Sequence, residues 1–271
     1  QRTIVITGAS DGVGAAAART LTSTGARVVV VGRTPAKVDK IADELGADRF
    51  VADFARLDDV RNLAAQLRER YERIDVLANN AGGLFAEREV TADGFEMTFQ
   101  VNHLAPFLLT NLLLDRLVAS RALVINTSSE AHRRGRLDLT DLQLEHHWTK
   151  WRSYCTSKLA NLVFTRALHR RYVLDGLSTA AFHPGVVASS FALSSRGATQ
   201  WFYRSSLGKR LMVSPEQGAD TLVWLANSTP PRDWASGLYY IKRTPSVPIK
   251  AARDDGLADA LWSASADLVG L

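Results

Sequence analysis

Short runs of apolar and β-branched residues alternate along the chain with longer amphipathic segments. Bounded runs of this kind are typical of strands buried in a sheet that is covered on both faces. They predict about seven strands, at Thr3 to Thr7, Arg27 to Val31, Arg49 to Val51, Val76 to Ala78, Leu123 to Asn126, Thr179 to Phe182 and Leu238 to Ile241. Between them apolar residues recur at helical spacing, as in the segment Leu57 to Tyr71, and indicate helices that pack on the sheet.

Strand and helix segments alternate over the whole chain without a repeat, a linker or a change of composition. This order favours one α/β domain over residues 1–271, a Rossmann-type doubly wound parallel sheet with helices on both faces. Right-handed crossovers place the carboxyl ends of all parallel strands at one edge of such a sheet. We therefore expect ligands to bind at that edge.

Composition and charge exclude several other classes of protein. Hydrophobic residues make up 46% and charged residues 23% of the 271 positions, values of a globular protein rather than a disordered or fibrous one. The net charge is +5, but the lysines and arginines are spread along the chain and form no basic run. We therefore expect no nucleic-acid partner.

Cysteine content and apolar run length bear on the cellular location. Cys155 is the only cysteine, so the chain has no internal disulfide. No apolar run reaches the ~18 residues of a membrane span, and the first predicted strand begins almost at Gln1, which leaves no room for an export signal. We expect a cytoplasmic protein without an integral membrane segment.

A glycine-rich turn connects the first strand to an alanine-rich helix. Glycine permits a tight turn there and lets the backbone approach a pyrophosphate at the positive end of the helix. An ordinary tight connection would also use glycine, but the flanking strand and helix are those that the phosphate-binding mechanism requires. The turn predicts a dinucleotide site that includes Gly8, Ser10, Asp11, Gly12, Val13 and Gly14.

The residues after the second strand distinguish between the two nicotinamide dinucleotides. Proteins that bind NAD usually have an acidic residue there, which holds the 2′-hydroxyl of the adenosine ribose. This chain has Arg33 and Thr34 instead, with Lys37 one helical turn further on. Because the planar guanidinium of Arg33 suits a 2′-phosphate, we predict NADP(H) as the cofactor in preference to NAD(H). The alternative is that Arg33 is an ordinary surface arginine.

Tyr154 and Lys158 are spaced by four residues near the start of a predicted helix that continues through Leu168, so their side chains share one helical face. Such a pair is common by itself. Here it accompanies, in order, further motifs through which nearly the whole chain resembles the short-chain dehydrogenase/reductase family. The matching segments are Thr7 to Gly14, Asn79 to Gly82, Asn102, Ser128-Ser129, Tyr154 to Lys158 and Pro184-Gly185.

Within that family the chain is most similar to the retinol-dehydrogenase-like branch. The similarity lies in the segments Val101 to Leu104, Tyr154 to Asn161 and His183 to Val187, and in the long interval between Ser129 and Tyr154. One departure is Ala105-Pro106, where the branch often has glycine and histidine.

The resemblance implies a catalytic set of four residues. Tyr154 is expected to exchange the proton of the substrate oxygen, and Ser129 to hydrogen-bond that oxygen, with Ser128 the less suitable serine. A tyrosine ordinarily titrates near pH ~10, so the charge of Lys158 is expected to stabilise the phenolate. Lys158 is also expected to hold the nicotinamide ribose, and Tyr154 to contact the cofactor. Asn102 is expected to hold a water that links the lysine to solvent.

The resemblance also implies further cofactor contacts. Asp53 and Phe54 follow the third strand, near the expected position of the adenine. Asn80, Ala81 and Gly82 would line the cofactor cleft. The remaining contacts are expected around the carboxamide, at Pro184, Gly185, Val186, Val187 and Ser189.

The implied activity is hydride transfer between NADP(H) and a carbonyl or alcohol group of a small molecule. The irregular segment 188–213 is predicted to form a lid over the site, although an aromatic-rich loop is about as often a packed flap. Its apolar residues favour a fairly apolar substrate: Phe191, Leu193, Trp201, Phe202 and Tyr203.

Two other functions stay open from the residues alone. A similar Tyr/Lys pair also reduces carbon–carbon double bonds in related proteins, although Ser129 suits an oxygen at the reacting carbon. A regulator that binds NADP(H) without turnover is the second alternative, although binding alone would not need the whole catalytic set.

Histidines and helix surfaces give the last expectations. His103, His132 and His183 lack a matched set of carboxylates at ligand spacing, so we predict no metal site and interpret them as packing or polar-lining residues. Cys155 has no thiol-activating neighbours on its helix. The helices that contain Asn102 to Leu114 and Leu159 to Leu168 carry apolar surface and often pair in this family, which implies a homodimer or homotetramer.

Overall fold

One sheet runs through the part of the chain that the computed structural model describes, residues 1–187 and 213–271. Its strands are β1 (Thr3–Thr7), β2 (Arg27–Gly32), β3 (Asp48–Val51), β4 (Val76–Asn79), β5 (Leu123–Thr127), β6 (Ser178–His183), β7 (Leu238–Ile241) and β8 (Thr244–Ser246). They lie in the order β3-β2-β1-β4-β5-β6-β7-β8, and every neighbouring pair is parallel except β7 and β8. The predicted doubly wound sheet is confirmed.

Helices connect the parallel strands and cover both faces of the sheet. They are α1 (Gly12–Ser23), α2 (Pro35–Leu45), α3 (Leu57–Arg70), α4 (Met97–Phe99), α5 (Ala105–Leu112), α6 (Leu114–Ala119), α7 (Lys150–Tyr172), α8 (Pro215–Asn227) and α9 (Asp255–Val269). A π-helical turn, Gln100–Leu104, joins α4 to α5. Two 3₁₀ turns, Glu130–Arg134 and Lys250–Arg253, follow β5 and β8.

Successive strand residues point to opposite faces of the sheet and so build two cores. On β1, Val5 belongs to the core under α3, α5, α7 and α9, whereas Ile4 and Ile6 belong to the core under α1, α2 and α8. All three side chains are fully buried. The apolar runs read from the sequence are therefore the strands of a sheet that is covered on both sides.

Local signals place the helix ends. The Asp11 side chain accepts a hydrogen bond from the Gly12 N–H and caps α1. The predicted helix start at Ser214 is confirmed, because Ser214 and Gln217 form a reciprocal capping box and Pro215 occupies the first turn of α8.

The seven predicted strands are all present, and their ends differ from the prediction by at most one residue. The eighth strand was not predicted. β8 has only three residues and contains Pro245, so it lacks both the length and the apolar pattern of a buried strand. Except for Val213, the predicted lid at 188–213 lies outside the described residues, together with Ser189 and the aromatic residues assigned to the lid.

Helix α9 covers the faces of α5 and α7 that we expected to pair between subunits. The Trp262 ring lies 5.1 Å from that of Phe107 and 5.9 Å from that of Phe164, measured between centroids. The Nε2 atom of buried His103 lies 2.9 Å from the Ser265 hydroxyl oxygen. This apolar surface is therefore packed within the chain. No helix of residues 1–187 and 213–271 is long and apolar enough to cross a membrane.

Candidate active site

The carboxyl ends of β1 and β4 lie side by side, and the chain leaves these two strands towards opposite ends of the sheet. Doubly wound sheets bind their ligands in the crevice that forms at such a point. Thr7 closes the base of this crevice. Its hydroxyl donates to the Ala78 carbonyl oxygen at 3.2 Å and accepts from the N–H groups of Asn80 and Ala81, both at 3.0 Å.

The glycines of the turn after β1 are required by close backbone packing. Gly8 has φ +67°, and a Cβ atom there would lie 2.9 Å from the Cα atom of Ala81. A Cβ on Gly14 would lie 2.2 Å from the Gly8 carbonyl oxygen. The turn therefore presses directly against the start of α1, with Asp11 as the cap and Gly12 at φ +51°. This backbone cradle at a helix N-terminus fits a pyrophosphate.

Gly82 connects the crevice to the predicted catalytic residues. A Cβ at Gly82 would lie 2.9 Å from Asn102 Oδ1 and 3.4 Å from Lys158 Nζ. Asn80, two residues earlier, donates from its side chain to the Thr7 carbonyl oxygen at 3.0 Å. The segment from Asn80 to Gly82 thus runs from the glycine turn to Lys158. It can therefore form one wall of the crevice between them.

The end of β2 lies against the same glycine turn. A Cβ at Gly32 would lie 2.6 Å from the Ser10 hydroxyl oxygen, and Arg33 and Thr34 follow at once on the surface. Lys37 forms an ion pair with Asp11 at 2.9 Å. Arg33 forms no ion pair with any residue in the described ranges. Arg33 is therefore an exposed arginine without an acidic partner in this part of the chain, directly after the strand that contacts Ser10.

The third-strand residues differ in how much they offer a ligand. Asp53 lies at the same sheet edge and is half-buried, and its Oδ1 atom accepts from the Ala55 N–H at 3.0 Å. The Phe54 side chain is packed into the core, and its carbonyl oxygen accepts from the Gln100 side chain at 3.2 Å. The structure thus leaves Asp53 at the edge and turns the Phe54 ring away from it.

Tyr154 and Lys158 lie in the first half of α7, the helix that the sequence predicted. The Lys158 side chain is 4% exposed, and its Nζ atom donates to the Thr127 carbonyl oxygen at 3.2 Å and lies 5.5 Å from the centroid of the Tyr154 ring. Burial lowers the pKa of Lys158 to about 8. The structure therefore places the ammonium close to the phenol ring, as the four-residue spacing of Tyr154 and Lys158 had suggested.

The two adjacent serines have different environments. Ser128 is buried, and its hydroxyl donates to the Lys158 carbonyl oxygen at 2.8 Å, which fixes α7 against β5. Ser129 is half-buried, and its hydroxyl oxygen accepts from the Ala131 N–H at 3.2 Å. An accepted bond leaves the hydroxyl proton of Ser129 available for another acceptor. Ser129 is thus the serine suited to a substrate oxygen.

Asn102 lies inside the π-helical turn and is fully buried. Its side-chain amide pairs with the Gly83 backbone, accepting from the N–H at 2.7 Å and donating to the carbonyl oxygen at 2.9 Å. It also donates to the Ser157 hydroxyl at 3.0 Å. π-helical turns are frequent at functional sites, and this one ties the cleft wall to the residue beside Lys158.

The sequence missed residues that support this arrangement. The Thr127 carbonyl oxygen receives both Lys158 and the Asn161 side chain, and Ser157 receives Asn102. Glu96 is buried, and its carboxylate accepts from the Ser153 hydroxyl at 2.7 Å, next to Tyr154. The only signal in the sequence was Glu96 itself, an acidic residue between Phe95 and Met97. Backbone acceptors such as the Thr127 carbonyl oxygen cannot be recognised from a sequence, because every residue has one.

The last predicted contacts lie at the end of β6. Gly185 has φ +86°, and Val187 pairs with Val213 in an isolated parallel bridge. A Cβ at Gly218 on α8 would lie 2.8 Å from Val187 and 3.2 Å from the Pro184 carbonyl oxygen, so this segment packs closely on α8. Ser189 lies outside the described residues.

Other reactive side chains contribute no second centre within residues 1–187 and 213–271. No group of three histidine, cysteine or acidic side chains there is placed to hold a metal ion. Burial raises the pKa of Cys155, the reverse of what a nucleophilic thiol needs. Burial also lowers the pKa of His103 to about 4, so that histidine is neutral in its apolar surroundings.

Comparison with known proteins agrees with this geometry. Residues 2–200 match the family model described as short chain dehydrogenase, and the chain belongs to that family. A protein of Streptomyces sp. (strain C5), provisionally named as a daunorubicin C-13 ketoreductase, is 43% identical over 99% of this chain and 93% of its own. Human retinol dehydrogenase 13 is 38% identical over 100% of this chain and 85% of its own. The expected retinol-dehydrogenase-like resemblance is thereby confirmed.

Solved structures give the same result for the fold. A protein of Mycobacterium paratuberculosis has a TM-score of 0.79 at 33% identity, over 100% of this chain and 94% of the other. An Escherichia coli CFT073 protein, provisionally named as a short chain dehydrogenase, was solved in complex with NADPH. It has a TM-score of 0.71 at 26% identity, over 89% of this chain and 95% of the other.

Proposed function

We propose that the chain is an NADP(H)-dependent oxidoreductase that interconverts a carbonyl and an alcohol group on a fairly apolar small molecule. The observation that carries the proposal is that Lys158, with the Tyr154 ring beside its ammonium, lies where the chain leaves β4 and β5. Ser129 follows β5, Lys158 is bonded to Thr127 at the end of β5, and Gly82 at the end of β4 lies against Lys158.

NADP(H) supplies the transferred hydride when it is bound. The chain supplies proton transfer and positioning at the substrate oxygen. The Tyr154 hydroxyl donates the proton in the direction of reduction and accepts it in the direction of oxidation. The Ser129 hydroxyl donates a hydrogen bond to the same oxygen and so fixes the reacting carbon.

Lys158 acts on Tyr154 through its charge. The ammonium lies beside the phenol ring in a buried site, where a positive charge favours the phenolate more strongly than in water. Asn102 is hydrogen-bonded to the Gly83 backbone and to Ser157, the residue before Lys158. These bonds fix the position of the segment Asn80 to Gly82 relative to Lys158. A route for protons from Lys158 to solvent at Asn102 is part of the proposal.

The preference for NADP(H) rests on the end of β2. Arg33 is exposed, follows the Gly32 that packs on Ser10, and forms no ion pair within the described ranges, and no acidic residue occupies this position. The NADPH of the Escherichia coli relative supports a nicotinamide dinucleotide phosphate as the ligand of this crevice. Asp53, at the end of β3, is proposed to contact the adenine.

The names of the relatives support the reaction type. A ketoreductase acts on a ketone and a retinol dehydrogenase on an alcohol, so both fall within carbonyl and alcohol interconversion. The partial exposure of the Ser129 and Tyr154 side chains is consistent with direct contact with a substrate oxygen. The apolar character of the substrate rests on the aromatic residues of segment 188–213.

Nucleotide affinity is the test that needs no substrate. NADPH and NADH are titrated by fluorescence against the wild-type protein, Arg33→Ala and Arg232→Ala. Arg232 is also an exposed arginine, paired with Asp233, and it precedes β7, which lies far from β2 in the sheet. We expect NADPH to bind more tightly than NADH, and Arg33→Ala alone to weaken NADPH by about 10-fold or more, as for other charge-assisted bonds to phosphate.

Other outcomes of this titration are also informative. Equal NADPH affinity in Arg33→Ala and the wild type would remove the 2′-phosphate assignment but leave the reaction type intact. No binding of either nucleotide would overturn the proposed function. Tight binding without reduction of any ketone or aldehyde in a substrate panel would favour a non-catalytic role.

A further inference from the structure

The carbonyl oxygen of Ser129 receives two hydrogen bonds from one residue. The backbone N–H of His132 donates to it at 3.0 Å, and the His132 ring nitrogen Nδ1 lies 2.7 Å from it. A carbonyl oxygen only accepts, so Nδ1 carries the hydrogen. The tautomer of this histidine is therefore set by the peptide that follows Ser129.

The ring of His132 is not suited to a simple packing role. It is fully buried, and its second nitrogen, Nε2, has no hydrogen-bond partner among the described residues. Burial lowers the pKa of His132 and favours the neutral ring. A buried unpaired acceptor costs about 1–3 kcal/mol, which an apolar side chain of similar size would not incur. A polar ring at this position therefore needs a favourable interaction that an apolar side chain could not make. Among the described residues, the hydrogen bond from Nδ1 to the Ser129 carbonyl oxygen is that interaction.

The position of the ring is fixed from the sheet. The Tyr239 ring on β7 packs edge-on against His132, with centroids 5.2 Å apart and planes at 78°. The Tyr239 hydroxyl donates to Glu130 at 3.1 Å, and the other oxygen of Glu130 accepts from Arg133 at 2.7 Å. The 3₁₀ turn that begins after Ser129 is thereby tied to β7 through Tyr239, and the Glu130–Arg133 ion pair lies within the turn.

We propose that His132 is a positioning residue, whose Nδ1–H fixes the Ser129 peptide and thereby directs the Ser129 hydroxyl towards the substrate oxygen. The inference rests on the proposed function, because it assigns Ser129 the contact with substrate. The hydroxyl of Ser129 is half-buried and accepts from Ala131 within the same turn. Rotation of the peptide between Ser129 and Glu130 would displace the Ala131 N–H that holds this hydroxyl and so release the hydroxyl from its position, and small misplacements at a reacting centre reduce rates strongly.

Two substitutions separate positioning from packing. His132→Asn keeps a donor N–H near the position of Nδ1 but is smaller. His132→Leu keeps most of the volume but has no donor. If the hydrogen bond is what matters, we expect kcat to fall about 10- to 100-fold in His132→Leu and to stay within about 3-fold of the wild type in His132→Asn, with KM for NADPH unchanged in both. A packing role predicts the reverse order of the two variants.

A double-mutant cycle tests whether the effect passes through Ser129. His132→Leu is combined with Ser129→Ala, and kcat is measured for all four proteins with NADPH and the best substrate of a ketone panel. We expect His132→Leu to reduce the residual rate of Ser129→Ala by less than 2-fold. An undiminished loss in the Ser129→Ala background would overturn the inference.

The tautomer provides a readout that needs no activity. Long-range proton–nitrogen NMR of the histidine-labelled wild-type protein distinguishes Nδ1–H from Nε2–H. A ring that carries its proton on Nε2 would overturn the inference whatever the activity. A wild-type protein that reduces no ketone would overturn the proposed function, whereas a fully active His132→Leu beside an active wild type would overturn only the role of His132.

Discussion

The Nζ atom of Lys158 lies 5.5 Å from the centre of the Tyr154 ring, at the end of a side chain that is 4% exposed. Burial disfavours the charged amine and lowers its pKa from 10.5 to about 8. At neutral pH the group still carries its charge, so the folded protein holds a buried cation next to the phenol. The buried charge opposes folding, whereas in the proposed function it assists Tyr154, and the two effects can be measured separately.

Lys158→Met is expected to abolish reduction and to stabilise the protein. The substitution removes the buried charge, and the Thr127 carbonyl oxygen keeps its bond from Asn161. We expect the free energy of unfolding at neutral pH to rise by about 3 kcal/mol, because a pKa shift from 10.5 to about 8 corresponds to that difference. Urea unfolding without nucleotide measures it, and Lys40→Met, an exposed lysine on α2, is the control that should change little.

The pH dependence of this difference has a definite sign. Between about 8 and 10.5 the unfolded chain binds a proton at Lys158 that the folded chain does not, so the stability of the wild type rises with pH in that range. Lys158→Met lacks this term. The gap between the two proteins should therefore close as the pH rises through that range, and a constant gap would contradict a buried, charged lysine.

Tyr154→Phe is expected to lower kcat for ketone reduction by about 10²- to 10⁴-fold, because only the proton-donating hydroxyl is removed. NADPH affinity should stay within about 3-fold of the wild type, because the substitution keeps the aromatic ring and removes at most one hydrogen bond to the cofactor. Steady-state rates and a nucleotide titration give the two values. Tyr172→Phe, on the last turn of the same helix, is the matched control and should retain full activity.

The two serines are expected to respond differently to alanine. Ser129→Ala should reduce kcat by about 10²-fold, since it removes a donor to the reacting oxygen, and should cost up to about 1 kcal/mol of unfolding free energy, since it also removes the acceptor of the Ala131 N–H. Ser128→Ala should lower the free energy of unfolding by about 1 kcal/mol, because it leaves the Lys158 carbonyl oxygen without the buried Ser128 hydroxyl. Equal kinetic effects of the two substitutions would contradict the assignment of Ser129.

Gly14→Ala is expected to destabilise the protein by about 3 kcal/mol, because the added methyl group would lie 2.2 Å from the Gly8 carbonyl oxygen. Gly256→Ala is the control. Its Cβ would meet no atom closer than 3.4 Å, and alanine in a helix such as α9 is favourable by up to ~1 kcal/mol. Thermal unfolding of both variants without nucleotide separates this packing effect from any loss of phosphate binding.

Much of the fold was predictable because each buried strand is a bounded apolar run. The seven long strands and the capped start of α8 carry such local signals. β8 does not, and neither does the packing of Trp262 on Phe107 and Phe164, since an apolar helix face gives no indication of which other face will cover it. Helix α9 of the same chain packs on the surface of α5 and α7 that was expected to pair between two subunits.

The side chains of the candidate site were predictable where a motif marked them, and their supports were not. Lys158 depends on the carbonyl oxygen of Thr127, and Asn102 depends on the backbone of Gly83. Every residue carries these backbone groups, so only the folded chain shows which of them serve the site. His132 was interpreted as a packing or polar-lining residue because its bond to the Ser129 carbonyl oxygen spans a turn that no pattern announces.

The short strand β8 also covers the edge of β7, where other molecules could otherwise pair. Without it, β7 would present a row of unpaired N–H and carbonyl groups at the border of the sheet, and such borders recruit strands of other molecules. β8 pairs with that border over Thr244 to Ser246, and Pro245 at its centre has no N–H to offer a further strand. The sheet of the described residues therefore ends at a short strand whose central proline disfavours strand addition at this side.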